Sequence, residues 1–269
     1  DWPVGEGIVF VNKRDVFKEA FGGSRSAALR WTSKYGSVTF NQFGREFPLG
    51  GINERGLAIE ELSTQWDYPP PHGQPCLNEF QWIQYHLDTC RSVKEVLKSA
   101  AGLKVSRLLL GLHYLIADRK GNAAVVEFND GRMAAYSGDS LPVAVLSNDR
   151  YAESLRYLGL HQGFGGERRV SGGAESSERF VRAATALREY RFLGQRPLLD
   201  HAFVVLKSVS QEDTQWSIAY NLPRRVLFFK TREHRRYKII PLEGLDFSCR
   251  SPAMMLPVST ESAGNLIRD

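Results

Sequence analysis

The order of the predicted elements favours an α+β fold, in which helices cover antiparallel sheets. About the first sixty residues contain short apolar or alternating stretches separated by turn residues, without a helical pattern. Capped helical patterns begin only after a proline-rich segment, and strand patterns return after residue 215. This order is typical of a fold with separate sheet and helix layers. Because no internal repeat or linker interrupts the chain, we expect one domain over residues 1–269.

Short strand patterns fill the first part of the chain. They span residues 7–13, 27–32, 37–41 and 57–62, and Gly56 marks a hairpin turn before the last stretch. Phe17 and Phe21 fall between the first two stretches, in a glycine-containing segment that predicts a loop. We therefore expect successive antiparallel strands before the first helix.

Residues 63–75, STQWDYPPPHGQP, predict a loop because three consecutive prolines exclude both a helix and a central strand. The loop carries Trp66 and Tyr68. Their rings either line a pocket for an apolar group or anchor a half-buried loop, and the second role is the commoner one.

Two helices follow this loop, and each has a capping pattern at its start. Asn78 with Gln81, and Ser92 with Glu95, place a capping side chain three residues before a Gln or a Glu. Apolar residues at helical spacing follow both pairs. We therefore expect a helix to begin just after each capping residue.

The stretch 112–158 reads as three strands, a short apolar run and a helix. Its second strand is apolar on both faces except at Glu127, which indicates a strand that is covered on both sides. Residues 143–146 predict a short buried strand, and Asn148 and Asp149 stand between this run and the helix. Their side-chain oxygens suit a helix cap, which is the commoner role. The alternative for Asn148 is a functional amide at the point where a buried strand reaches the surface.

The remaining patterns complete the α+β order. A glycine-rich basic segment after the central block lacks the strand, the helix and the residue offsets of a phosphate-binding loop, so it predicts a surface loop. Helices are then predicted at 176–187 and 197–209, and strands at 216–221, 226–229 and 237–240.

Charge and hydropathy exclude two classes of partner. The net charge is +5, from 35 basic and 30 acidic residues, which is a modest excess. The densest basic run, residues 230–238, contains Glu233 and follows a predicted strand, so it reads as a solvated strand end. Nucleic-acid sites usually show a larger basic stripe, so no nucleic-acid partner is expected. No apolar run reaches the roughly 20 residues of a membrane helix, so no membrane span is expected.

The chemistry-bearing residues match none of the common catalytic motifs. The sequence has no GxSxG elbow, HExxH or CxxC pair, Walker loop or dinucleotide fingerprint, and none of its six histidines are four residues apart. We therefore expect neither a metal nor a cofactor. Cys76, Cys90 and Cys249 are too few and too dispersed for a disulfide framework, and we interpret them as structural thiols. A Cys-His dyad assembled by the fold remains an alternative.

Several stretches together resemble one family. They are residues 112–158, SSERFVRAATAL at 176–187, DTQWSIAY at 213–220 and the opening Asp1-Trp2, and they occur in matching order. The family is that of the choloylglycine hydrolases and penicillin V acylases, which are linear-amide C-N hydrolases of the N-terminal nucleophile superfamily. The resemblance covers nearly the whole chain and implies a four-layer αββα sandwich with antiparallel sheets.

The family's nucleophile is a cysteine exposed as the first residue, and its own α-amino group acts as the base. The reference pKa of such a group, about 7.7 to 8.0, suits proton transfer near neutral pH without a histidine. By resemblance, Asp1 corresponds to the aspartate that holds this amino group, and Asn148 to the asparagine whose amide donates to the oxyanion. Arg179 corresponds to the arginine that completes the polar network. Ser63 corresponds to the position whose backbone N–H is the second oxyanion donor.

Two departures from the family's pattern bear on substrate and assembly. The chain begins at the matched aspartate, so we expect the cysteine and its strand to precede Asp1. Ser63 stands where bile-salt hydrolases usually carry Asn and penicillin V acylases often carry Tyr, so neither substrate is favoured. The segment between Asn148 and Arg179 looks shorter than the loop that builds the tetramer of bile-salt hydrolases, so a homo-oligomer stays open.

The first hypothesis is a hydrolase of small linear amides, with an apolar acyl group near Phe17, Phe21, Trp66 and Tyr68. The second is a non-catalytic relative that binds an amide ligand. The third is nucleic-acid binding through the basic loops, which predicts a steep dependence of affinity on salt.

Overall fold

The structure, a computed structural model, describes residues 7–21, 28–45, 47–65, 68, 76–129, 131–193, 197–234, 236–259 and 267–268. The helices in these ranges are α1 Glu79–Thr89, α2 Val93–Ala100, α3 Tyr151–Leu158, α4 Ser176–Leu193 and α5 Leu198–Ser208. The strands are β1 Ile8–Asn12, β2 Phe17–Glu19, β3 Arg30–Thr32, β4 Ser37–Asn41, β5 Pro48–Asn53, β6 Leu57–Ser63, β7 Cys76–Asn78, β8 Lys104–Ser106, β9 Leu112–Asp118, β10 Ala123–Asn129, β11 Arg132–Ser137, β12 Trp216–Asn221, β13 Val226–Thr231, β14 Lys238–Pro241, β15 Met254–Pro257 and β16 Ile267–Arg268.

Nine strands form one large sheet in the order β11-β10-β9-β6-β5-β4-β1-β15-β16, and all neighbours are antiparallel. Strands adjacent in sequence lie side by side in β4-β5-β6, in β9-β10-β11 and in the edge pair β15-β16, and the first two groups form the centre and one end of the sheet. Gly56 adopts a positive φ of 78° in the turn between β5 and β6, so the predicted hairpin is confirmed. The pairing of β6 with β9 joins the two groups and places Ser63 opposite Leu112.

Helices α1 and α2 cover one face of this sheet. Leu57 and Ile59 of β6 pack with the helices in one buried cluster. Trp82 of α1 stacks on Tyr114 of β9, with ring centroids 4.1 Å apart, and both rings are fully buried. Burial of a large apolar side chain contributes about 1.5 to 3 kcal/mol, so this stacked pair fixes α1 firmly on the sheet. The Asn78 side chain accepts two backbone N–H groups at the start of α1, which confirms the predicted cap.

A second, three-stranded sheet in the order β12-β13-β14 covers the opposite face. Leu227 and Phe229 of β13 pack with Val38 and Phe40 of β4 in a second buried cluster. Alternate side chains of this small sheet face outward, and there Phe203 of α5 stacks on the ring of Tyr237 with centroids 5.8 Å apart. Helix, sheet, sheet and helix thus form four layers, and the αββα prediction is confirmed.

Helices α3 and α4 pack at the β10 and β11 end of the large sheet. Tyr151 of α3, Phe180 of α4 and Val125 of β10 belong to a third buried cluster. The loop between β11 and α3 lies against the same cluster, since Val145 within it is also buried.

Three local predictions were wrong. Residues 143–146 form no strand, because β11 occupies the edge of the large sheet and Val145 packs against α3 and α4 instead. Asn148 and Asp149 do not cap α3. The N-cap of this helix is Arg150, and the Arg150 side chain makes no capping hydrogen bond. Phe17 lies in a strand, β2, which pairs with β3.

Candidate active site

Three segments that are distant in sequence meet where β6 ends. Ser63 is the last residue of β6, Asn148 lies in the loop before α3, and Arg179 lies in the first turn of α4. Asn148 Nδ2 donates to the carbonyl oxygen of Ser63 at 2.8 Å and to its hydroxyl at 3.0 Å. Arg179 Nη2 donates to Asn148 Oδ1 at 2.7 Å. Three of the four residues that the resemblance assigns to catalysis therefore contact one another, while Asp1 lies outside the described residues.

The loop that carries Asn148 is fastened to the start of α4 on both sides of the asparagine. The Asp149 N–H donates to Ser176 Oγ at 2.8 Å, and Ser176 Oγ donates to Ser147 Oγ at 3.0 Å. Ser147 is buried, so water competes little for this bond. The same helix that supplies Arg179 thus holds the backbone around Asn148.

Arg179 determines which end of the Asn148 amide faces Ser63. A guanidinium has only donors, so it must bind the oxygen of the amide, and the NH₂ group is left to point at Ser63. Burial lowers the pKa of Arg179, and the neighbouring Arg182 acts in the same direction. A cation in the first turn of a helix also opposes the helix dipole. Arg179 is therefore badly located for helix stability and well located to orient Asn148.

The backbone N–H of Ser63 points away from β9. Thr64 N–H donates to the carbonyl of Gly111 across this pair of strands, and bonded pairs alternate along an antiparallel ladder. Ser63 opposite Leu112 is therefore a pair without backbone bonds. On the other side of β6, the pairing with β5 ends at Gly50 opposite Glu60, three residues before Ser63. The Ser63 N–H thus points into the space beyond the end of β5.

This arrangement supplies two neutral donors next to each other, the Asn148 amide and the Ser63 backbone N–H. One of the two Asn148 bonds ends on a hydroxyl, which a negatively charged oxygen can replace as the stronger acceptor. Donors held in advance at such a position stabilise an oxyanion in a transition state. The geometry therefore suits acyl transfer.

Among the predicted acyl-binding residues that the structure describes, Tyr68 alone is connected to this site, through Leu112. The Tyr68 hydroxyl accepts the N–H of Leu112, the residue opposite Ser63, at 2.8 Å, and its ring lies 5.1 Å from that of Phe128. Trp66 lies outside the described residues.

Phe17 and Phe21 lie in other surroundings. Phe21 packs edge-on against Phe47, with centroids 5.7 Å apart. Phe17 is 65% exposed and lines a cavity of about 390 Å³. The described residues around that cavity include Lys13, Trp31 and Arg45, but none of the three residues of the candidate site.

Sequence reasoning assigned no role to His113 and Glu127, which form a buried pair behind the Asn148 loop. Glu127 Oε1 accepts the N–H of Tyr151 at 2.7 Å and faces His113 Nδ1 at 3.0 Å. The available signal was a charged residue in a strand that is otherwise apolar on both faces.

Two adjacent acidic side chains in β6 lie just before the site. Burial raises the pKa of Glu60 to about 8, and the hydrogen bond from the Tyr220 hydroxyl at 2.5 Å partly offsets this shift. Burial raises the pKa of Glu61 to about 8 as well, and the charges of Glu60 and Glu79 add to the shift. The Glu61 Oε2 atom is buried and has no partner among the described residues. The pKa values of both carboxyl groups therefore lie well above the ordinary value for glutamate.

We expect Glu61→Gln to flatten the dependence of stability on pH. The folded carboxyl keeps its proton up to about pH 8, whereas the unfolded one loses it near 4.5. The folded state therefore binds more protons between these values, and the free energy of unfolding falls as pH rises through this window. Each such group contributes a slope of about 1.4 kcal/mol per pH unit, which glutamine lacks. Urea unfolding at pH 5, 6.5 and 8 measures the difference, and parallel curves for the two proteins would show the prediction to be wrong.

Within the described ranges, no cluster of three or more His, Cys, Asp or Glu side chains has the geometry to hold a metal ion. Among the described helices, none combines the length and the apolar character needed to cross a bilayer.

Comparisons with known proteins identify the family of the chain. The family described as linear amide C-N hydrolases, choloylglycine hydrolase family, matches residues 25–255. A penicillin V acylase from Pectobacterium atrosepticum is 30% identical over 180 residues, which is 61% of this chain and 48% of that protein. The chain thus spans about half the length of this curated relative.

Solved structures of two related enzymes superpose on the chain. Penicillin V acylase from Agrobacterium tumefaciens is 25% identical and has a TM-score of 0.81, covering 96% of this chain and 85% of its own. A mutant conjugated bile acid hydrolase from Clostridium perfringens is 16% identical and has a TM-score of 0.74, covering 93% and 88%. The second likeness shows the fold alone, which is that of the N-terminal nucleophile hydrolases. Since the match to the family extends over residues 25–255, which is most of the chain, the chain belongs to the choloylglycine hydrolase family of linear amide C-N hydrolases.

Proposed function

We propose that the complete protein hydrolyses a linear, non-peptide amide with an apolar acyl group, using a cysteine that precedes Asp1. The observation that carries this proposal is the hydrogen-bonded series of Ser63, Asn148 and Arg179. It presents an oriented amide beside a backbone N–H that the sheet does not use. These are the two donors that a tetrahedral oxyanion needs.

In the proposed reaction the cysteine sulfur attacks the amide carbon, and the α-amino group of the cysteine takes the thiol proton. The carbonyl oxygen becomes an oxyanion, which accepts hydrogen bonds from Asn148 Nδ2 and the Ser63 N–H. The C–N bond then breaks, and the amine leaves with the proton from the α-ammonium group. Water attacks the resulting thioester in the second half, releasing the acid and the free thiol. Asp1 holds the α-amino group in this scheme.

The acyl group is proposed to lie on the Tyr68 side of the site. The Tyr68 hydroxyl accepts the N–H of Leu112, the residue opposite Ser63, so Tyr68 lies one strand away from the donors, on the β9 side of β6. Trp66, two residues before Tyr68 in the sequence, stays a proposed contact, as do Phe17 and Phe21 from the first segment of the chain. Replacing each of the four aromatic residues with alanine and comparing KM values ranks them.

The test uses the protein expressed from its complete gene. N-terminal sequencing establishes whether the mature chain begins with cysteine, and release of the free acid is then measured with penicillin V, a conjugated bile acid and a simple N-acyl amine. Alkylation identifies the reactive thiol in a Cys249→Ser background, because Cys249 is exposed whereas Cys76 and Cys90 are buried. Burial also raises the pKa of Cys90 to about 11, so this thiol reacts slowly at pH 7.

We expect hydrolysis of at least one substrate and its complete loss when one thiol at the N-terminus is alkylated. A protein that begins with cysteine and cleaves none of the three would overturn the proposal. Saturable binding without cleavage would instead identify a non-catalytic relative that binds an amide.

A further inference from the structure

His113 and Glu127 form a buried pair that the proposed reaction does not use. Their side chains are 0% and 1% exposed, and His113 Nδ1 lies 3.0 Å from Glu127 Oε1. The same oxygen accepts the N–H of Tyr151, so it acts as an acceptor and Nδ1 is the donor. The pair thus links two elements, β9 and the start of α3, through one carboxylate.

Glu127 accepts one of the backbone N–H groups that the first turn of α3 leaves without a partner inside the helix. Tyr151 is the first residue of α3 and lies three residues after Asn148. Its N–H donates to Glu127 Oε1, and the side chain of the N-cap, Arg150, makes no capping bond. The carboxylate therefore fixes the point where the Asn148 loop ends.

His113 fixes the other half of the site. It lies in β9 opposite Leu62, one residue before Ser63 in β6. Through the bond to Glu127, the strand pair that carries Ser63 is connected to the helix start that follows Asn148. Both proposed oxyanion donors are thereby fastened to the same buried group.

The His113–Glu127 pair contributes less to the stability of the fold than an apolar pair at the same positions would. His113 Nε2 is buried and lacks a partner among the described residues, and an unsatisfied polar atom of this kind weakens stability. An aliphatic side chain would fill the position in β9 without this penalty. Because His113 weakens stability in this way, its presence points to a role other than packing.

We propose that His113 and Glu127 are positioning residues, which hold Asn148 and Ser63 at the separation that binds the oxyanion. This inference rests on the proposed function. It assigns the two residues no contact with substrate, since both act through the backbone of the segments that carry the donors.

The test compares kcat and KM of the complete enzyme with those of Glu127→Ala and Glu127→Gln. Alanine removes the acceptor of Tyr151 N–H, and we expect kcat to fall about 10- to 100-fold while KM changes less than threefold. Glutamine keeps one acceptor oxygen, so it should recover most of the loss. His113→Asn, which retains a donor near Nδ1, should likewise be more active than His113→Leu.

Asp118 provides a matched control. Its carboxylate, at the end of β9, accepts the N–H of Val93, the first residue of α2, at 3.1 Å, and it is 2% exposed. Asp118→Ala removes the same kind of bond at a distance from Asn148, together with the bonds that Asp118 accepts from residues 120 and 122 in the turn after β9. We expect it to lower the melting temperature at least as much as Glu127→Ala does and to leave kcat within twofold of wild type.

A measurement that does not depend on turnover tests the positioning role separately from the proposed function. The side-chain amide signals of Asn148, assigned in an NMR spectrum by their loss in Asn148→Ala, should shift in Glu127→Ala and stay in place in Asp118→Ala. If wild type cleaves amides but the two alanine variants have equal kcat and equal Asn148 signals, the positioning role is refuted and the proposed function stands. If wild type cleaves none, the proposed function fails, and unchanged Asn148 signals would refute the positioning role as well.

Discussion

Asn148→Ala is expected to turn over the amide substrate of the complete enzyme about 100 to 1,000 times more slowly than wild type. A preorganised donor to the oxyanion lowers the barrier by about 3 to 4 kcal/mol, and the substitution removes one of two such donors. Alanine also leaves Arg179 Nη2 without its acceptor. Since the oxyanion exists only in the reaction's high-energy states, the loss should appear in kcat and much less in KM.

Two further variants make this result specific. Asn148→Asp keeps the shape but replaces the NH₂ donor with an acceptor that repels the oxyanion, so it should be at least as slow. Asn122→Ala removes an amide of the same type, which binds Asp118 in the turn between β9 and β10, and should leave kcat unchanged. Turnover of Asn148→Ala within fivefold of wild type, with an unchanged melting temperature, would contradict the assignment.

Glu79→Ala is expected to destabilise the protein by about 3 to 4 kcal/mol. The Glu79 side chain is fully buried at the start of α1, and its two oxygens accept the backbone N–H groups of residues 108, 109 and 110 at 2.6 to 2.7 Å. Each lost bond costs about 1 kcal/mol, and more where the N–H stays buried. A fall in melting temperature of about 10 °C follows for a chain of this size.

Glu95 in the first turn of α2 offers the control for this prediction. It also accepts a backbone N–H, that of Arg91 at 2.9 Å, but its side chain is partly exposed. Glu95→Ala should therefore cost less than about 1 kcal/mol. Urea unfolding of both variants measures the difference, and equal values would show that burial of Glu79 contributes nothing.

Most of the fold could be predicted from local patterns in the sequence. Turn residues and alternation predicted the hairpins of the large sheet, and Asn78 predicted the start of α1. The errors occurred where tertiary contacts, rather than local sequence, determine the secondary structure. Residues 143–146 are apolar because they pack under α3 and α4, and an apolar run alone does not distinguish this from a strand.

The site could be named only through the resemblance to a family. Residue patterns made Asn148 a helix cap, because a polar residue before a helix usually is one. Its actual partners are Ser63 and Arg179, and no local pattern encodes hydrogen bonds across 85 and 31 residues. The contacts of His113 and Glu127 were missed for the same reason, although Glu127 is the single charged residue in an apolar strand.

These long sequence separations also determine when the site forms during folding. Ser63 and Asn148 can bond only after β6 has paired with β9, and Arg179 can reach them only after α4 has docked. Closing such long loops costs conformational entropy before any contact compensates for it. We therefore expect helices and hairpins to form early, and Ser63, Asn148 and Arg179 to come together in one of the last steps. A partly folded chain would then have secondary structure without this cluster of side chains, so recovery of the proposed amidase activity should report complete refolding.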